Sequence, residues 1–227
     1  MNVADKLAKI EERIRAAAKR GGREPGQVRL IAVSKRQSVE MIRAAVRAGH
    51  HLFGENYFQE AKGKLAVLPK EEFHFIGHLQ SNKAREACGL FSLIHTVDRP
   101  KVARRIGARA VELGIVQEVL VQVNVGREKQ KSGVMPEGLE ELLAEIDSMD
   151  GIAVKGLMTM PPATSDPEET RPFFAALRKL GERCHGAGLI DAERIDLSMG
   201  MSNDFEVAVE EGAILVRVGT AIFGERA

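Results

Sequence analysis

A chain of 227 residues can bury a full core, and its length suits one large domain. Lys and Arg number 33 against 32 Asp and Glu, a formal charge of +1 that argues against nucleic acid or an anionic membrane as partner and leaves room for a small anionic ligand. Cys88 and Cys184 stand alone, without a CxxC or the spacing of a zinc site, so neither a disulfide scaffold nor a cysteine-built metal site is expected.

The opening MNVADKLAKIEERIRAAAKR predicts an amphipathic helix with no continuous apolar run, and no later stretch approaches the roughly 18 apolar residues of a membrane span. No metal, no membrane association and a cytoplasmic location are therefore expected. Strand-like runs then alternate with helix-like segments, the pattern of parallel βα units. Strands are predicted at 28–35, 51–56, 73–78, 92–98, 118–126, 152–160, 194–200 and 214–224. Helical patterns such as PKVARRIGARAVELG and ETRPFFAALRKLGERCHGAG lie between them, and MTMPPATSDPEE reads as one long βα loop. Eight units fit this length if the loops are short, so the expected fold is α/β, a single (β/α)8 TIM barrel over residues 1–227 with an N-terminal helix. A doubly wound sheet, the alternative, would offer a glycine-rich first turn, and the first turn here, SKRQS, has no glycine.

In a barrel the C-terminal strand ends share one mouth, where sites of this fold are built. Lys35 ends strand one, and Asn56, His78, Asp98, Asn124 and Met158 lie at or near the ends of strands two to six. Strand seven runs into SMGMSND and a helical FEVAVEEG, placing Ser202 and Asn203 where unpaired N–H groups attract anions; Asn203 with Glu206 also fits a capping box. In VRVGTAIFG, at the end of strand eight, Gly219 permits close approach to the backbone and Thr220 adds a hydroxyl. The loops after strands seven and eight are the frequent phosphate-binding corner of this fold. Other motifs fail. MGMSND lacks the last glycine of a G-x-S-x-G elbow, and His74 and His78, four apart on a strand, are separated by about 13 Å, too far for one metal. GREKQKSG, residues 126–133, reads as a solvated loop or as a lid over an anionic ligand.

A lysine facing a phosphate corner has a chemical use, because its neutral amine can form an imine with an aldehyde. Desolvation and a nearby cation favour that neutral amine, and Arg217, which shares strand parity with Gly219, can supply the cation. A phosphorylated aldehyde is the ligand class this suggests; pyridoxal phosphate (PLP) and aldolase sugar substrates both qualify.

IAVSK, FGENY, HFIGHLQSNK, LSMGMSND and VRVGTAIFG together resemble the motifs of the pyridoxal-phosphate homeostasis protein family, and the resemblance covers nearly the whole chain. It implies an alanine racemase N-terminal-like barrel of the fold-type III PLP-binding class, with pyridoxal 5′-phosphate held as an internal aldimine on Lys35. It also implies that Ser202, Gly219 and Thr220 hold the phosphate and that Arg217 faces the pyridine nitrogen. Asn56 would belong to the ring pocket, and Met199, Gly200 and Met201 would shape the neighbouring wall. The implied role is intracellular homeostasis and delivery of PLP to apo-enzymes that require it, without efficient turnover and without catalytic residues. A monomer is expected, because the β domain that barrel racemases add is missing. An amino-acid racemase dependent on PLP and a Schiff-base aldolase are the rival readings.

Overall fold

A computed structural model describes residues 2–224. Its sheet consists of β1 (Arg29–Val33), β2 (Leu52–Glu55), β3 (Glu72–Phe75), β4 (Leu93–Val97), β5 (Gln117–Gln122), β6 (Ile152–Met158), β7 (Asp196–Ser198) and β8 (Leu215–Val218). Neighbours in sequence pair in parallel, and β1 also pairs with β8 from Arg29↔Leu215 to Ala32↔Val218, so the sheet closes into a barrel. Around it lie α1 (Val3–Arg20), α2 (Val39–Arg47), α3 (Phe58–Val67), α4 (Ser81–Ala87), α5 (Pro100–Leu113), α6 (Leu139–Asp147), α7 (Arg171–Gly186), α8 (Phe205–Glu210) and α9 (Thr220–Phe223). The predicted eight-unit α/β barrel is thus present. Among the described residues no helix is long and apolar enough to cross a membrane.

Strand residues alternate between two apolar layers because successive side chains point to opposite faces. Ile31, Leu52, Leu93, Leu120, Met158 and Leu215 fill the interior, while Phe53, Phe75, Ile94, Val119 and Leu157 pack outward in the larger core with the helices. The N-terminal helix fits its pattern. Leu7, Ile10, Ile14, Ala17 and Ala18 recur at helical spacing and are buried, and Asn2 and Asp5 cap the start reciprocally. Arg13–Glu206 at 2.8 Å and Arg20–Glu210 at 2.7 Å tie α1 to α8.

The mouth differs from the sequence expectation in three places. Strand eight stops at Val218, not at 224, and the chain turns at Gly219 into α9. The tail of predicted strand five leaves the barrel after Val123, whose N–H still donates to the Met158 carbonyl at 2.8 Å and which also bridges Val134. The Asn203–Glu206 capping box does not form. Helix α8 starts one residue later with Asp204 at its N-cap, and Glu206 is taken by Arg13 across the α1–α8 seam.

Candidate functional site

A cleft of about 300 Å3 opens at the C-terminal ends of the strands, at the lower end of the usual range of small-molecule sites, about 300 to 1,000 Å3. Lys35, Asn56, Arg217, Ser202, Gly219 and Thr220 line it. The other predicted positions lie elsewhere. Met199 is fully buried in the core, and Gly200 is not on the cleft wall. A side chain at Gly200 would strike Ala208 Cβ at 2.6 Å and Phe205 Cα at 2.9 Å; with φ of +90° the position serves the close packing of α8, and Met201 forms the wall.

Of the remaining strand-end polar groups, none reaches the cleft. His78 Nδ1 lies 2.9 Å from Ser132 Oγ, and Asp98 accepts from Arg99 at 2.5 Å. Asn124 binds the carbonyl of Glu128 at 2.8 Å. His78 and Asn124, together with Asp98 accepting from the Gly133 N–H at 3.3 Å, hold the 126–133 segment against the mouth, and Lys131 Nζ donates to the Pro161 carbonyl at 2.9 Å. Neither a purely solvated loop nor a cleft-lining lid describes it, because no residue of 126–133 lines the cleft.

Lys35 sits in a turn clamped on both sides. Ser34 Oγ donates to Glu55 Oε1 at 2.6 Å, and Lys64 Nζ donates to the Ser34 carbonyl at 2.6 Å and to Glu55 Oε1 at 2.8 Å. On the far side, the Arg36 N–H donates to Glu60 Oε1 at 2.5 Å, and Glu60 also accepts from Lys64 at 2.5 Å. Arg36 is left-handed, φ +59°, a conformation non-glycine residues adopt only with support. Burial raises the Glu55 carboxyl above its ordinary value, against the lowering effect of Lys64 and Ser34. Lys64 escaped sequence reading because it looks like any exposed helical lysine; its spacing of four from Glu60 was the available signal.

Arg217 enters from β8, buried. It donates to Ser198 Oγ at 2.5 Å and to the Thr159 carbonyl at 2.9 Å, two of the five N–H donors a guanidinium carries. Burial pushes it down to about 10, opposed by Asp204, so it stays charged at neutral pH. In the same cleft, Thr220 Oγ1 donates to Ser202 Oγ at 3.2 Å. Asp204 Oδ1 fixes the intervening turn by accepting from the Met201 N–H at 2.6 Å. Asn56 Oδ1 is buried with no hydrogen-bond partner among the described residues. Sequence reading missed one wall: Met160, Pro162, Ala163, Thr164 and Thr170, from the loop after β6. Its length and proline content were the signal, since long βα loops overhang the mouth.

Two histidines lie deeper in the barrel. Burial holds His74 below its ordinary value and His95 well below, so both resist protonation on acidification. Each has a folded pKa under the unfolded value of 6.5, so below that pH the unfolded chain binds more protons and stability falls as pH falls. Thermal unfolding between about pH 7.5 and 5.5, where histidine titrates, is expected to show this loss. The double variant His74→Gln, His95→Gln should show a shallower slope; equal slopes would contradict the assignment.

Residues 6–227 match the family described as alanine racemase, N-terminal domain. A relative named pyridoxal phosphate homeostasis protein, from Aquifex aeolicus, is 43% identical over 228 residues, covering 100% of this chain and 99% of the relative. The chain belongs to the pyridoxal phosphate homeostasis protein family. The family member of that name from Escherichia coli K12 is 39% identical over 231 residues, with 99% and 97% covered. PipY of Synechococcus elongatus PCC7942, solved with PLP bound, is 36% identical and superposes with a TM-score of 0.84 over 98% of this chain and 100% of its own. Alanine racemase of Clostridium difficile shares the fold at 15% identity and TM-score 0.74, and this chain spans 56% of its length.

Proposed function

We propose that this family member binds pyridoxal 5′-phosphate in the mouth cleft, links it covalently to Lys35, and serves PLP homeostasis and delivery to apo-enzymes rather than turnover. The observation that carries this reading is the composition of the cleft. It joins a strand-end lysine, a buried arginine, a pair of hydroxyls at the phosphate corner and the unpartnered Asn56 Oδ1. These residues fit the cofactor: the hydroxyls suit its phosphate, Asn56 Oδ1 can accept from its phenolic hydroxyl, and Lys35 matches its aldehyde. When bound, the cofactor supplies that aldehyde and an electron-withdrawing ring. Lys35 would supply the amine that condenses with that aldehyde with loss of one water, while Ser202, Thr220 and Asn56 would hold the rest of the cofactor. PipY, with PLP bound, supports the same ligand here.

The reading without turnover is supported by where the two candidates for a second base lie. Two-base inversion of an amino acid needs an acid and a base on opposite faces of the carbanion. Tyr57 and His78, the candidates for a second base, do not line the cleft. Tyr57 is 46% exposed, with the Arg36 guanidinium 5.4 Å from its ring centre. Loaded protein incubated with each common amino acid is expected to lose or exchange cofactor without inverting the α-carbon. Racemisation at about 1 per second or faster, abolished by Lys35→Ala, would instead establish a racemase.

A further inference from the structure

Barrel interiors of this type are filled mainly by branched apolar side chains. This one is crossed by a file of polar groups. From Arg217 Nη1 the file runs to Ser198 Oγ at 2.5 Å, and Ser198 Oγ lies 2.9 Å from His95 Nδ1. His95 Nε2 lies 2.9 Å from His74 Nδ1, and His74 Nε2 lies 2.9 Å from Glu72 Oε1. Arg29 closes the far end by donating to Glu72 Oε2 at 2.7 Å. Arg217, Ser198, His95 and His74 are all buried, whereas Arg29 and Glu72 begin β1 and β3 at the opposite end of the barrel.

Hydrogen-bond chemistry gives this file one direction. A guanidinium only donates and an ionised carboxylate only accepts, so the two ends are fixed. Glu72 therefore takes the Nε2 proton of His74. A neutral imidazole has one N–H, so His74 Nδ1 accepts from His95 Nε2, and His95 Nδ1 accepts from the Ser198 hydroxyl. The Ser198 oxygen then accepts from Arg217. Every donor in the file meets an acceptor. Other charges face the imidazoles too: Asp196 and Arg29 act on His74, and Arg217 and Arg29 on His95.

We propose that Ser198, His95 and His74 are positioning residues for Arg217, forming a one-way hydrogen-bond chain that sets the guanidinium's aim in the cleft and connects it to the Glu72 carboxylate at the barrel floor. The proposal rests on the PLP reading for what Arg217 faces, but the chain itself needs no ligand. Its conformational consequence is a buried arginine held by a carbonyl on one side and a polarised chain on the other, leaving little freedom to rotate away from a bound ring.

The test separates the two readings. Long-range 15N–1H imidazole spectra of ligand-free protein report tautomer and charge at each histidine. His74 and His95 should both be neutral and protonated at Nε2 from about pH 5.5 to 8, the range in which an ordinary histidine titrates. An Nδ1–H tautomer or a charged ring at either position overturns the chain, whatever the protein binds. In loaded protein, His95→Leu cuts the chain, whereas His95→Gln keeps one acceptor and one donor. The leucine variant should shift the bound cofactor's absorbance maximum and weaken retention about tenfold, the scale of one charge-assisted hydrogen bond, and the glutamine variant should restore both to within about twofold. Equal behaviour of the two variants overturns the positioning role even if the tautomers are as expected. Should His95→Leu fail to fold, Ser198→Ala, which removes the hydroxyl between Arg217 and His95, takes its place in that comparison. If neither wild type nor variants bind PLP while the tautomers are found as expected, the functional reading fails and the chain stands.

Discussion

Purified protein incubated with pyridoxal 5′-phosphate is expected to show a visible absorbance band that Lys35→Ala abolishes. Borohydride reduction of the loaded wild type, followed by peptide mapping, should place the reduced pyridoxyl group on Lys35. The prediction has a large effect because a covalent bond is either present or absent; the variant would retain only the phosphate and ring contacts. The mass of the adduct also excludes or supports the aldolase reading, since a sugar aldehyde and a pyridoxyl group differ in composition. Reduction that labels Lys64 or any other lysine in the wild type would refute the assignment. Lys64 is an informative control, because its amine is buried in contacts with Glu55, Glu60 and the Ser34 carbonyl and has no access to the cleft.

The double change Ser202→Ala, Thr220→Val is expected to weaken PLP well over tenfold while leaving pyridoxal, which has no phosphate, close to unchanged. A hydrogen bond to a charged acceptor is worth about 1.5 to 3 kcal/mol, and two hydroxyls are removed. Part of that is offset, because the free hydroxyls already bond to each other at 3.2 Å and must exchange that contact for the phosphate. Backbone donors at the start of α9 and in the 201–204 turn remain, so binding should weaken rather than vanish. Equilibrium titration of both ligands against both proteins checks the result; equal losses for PLP and pyridoxal would remove the phosphate from this corner.

Local sequence pattern alone was enough to indicate eight alternating βα units, because a strand's two-residue period, a helix's 3.6-residue period and turn residues are all encoded within short windows. That pattern also placed Lys35 and Asn56 at strand ends, Ser202 after strand seven, and Gly219 and Thr220 in the last part of strand eight, where topology dictates a common mouth. Asn56 and His78 occupy equivalent places in the sequence pattern, yet Asn56 faces the cleft and His78 bonds to Ser132 in a loop more than fifty residues away. Met199 and Met201 are two residues apart; one is core and the other wall. Glu206 has the spacing of a capping residue, but an arginine from the first helix competes for it.

The tertiary structure decided these cases, and it alone revealed the Arg217–Ser198–His95–His74–Glu72 file, whose five members come from four strands. The sequence by itself determined which residues could stand at the mouth of a barrel. Which of them meet a ligand, and which meet one another, depends on hydrogen-bond competition between segments far apart in the chain, and a buried polar group takes whichever partner the closed barrel brings within about 3 Å.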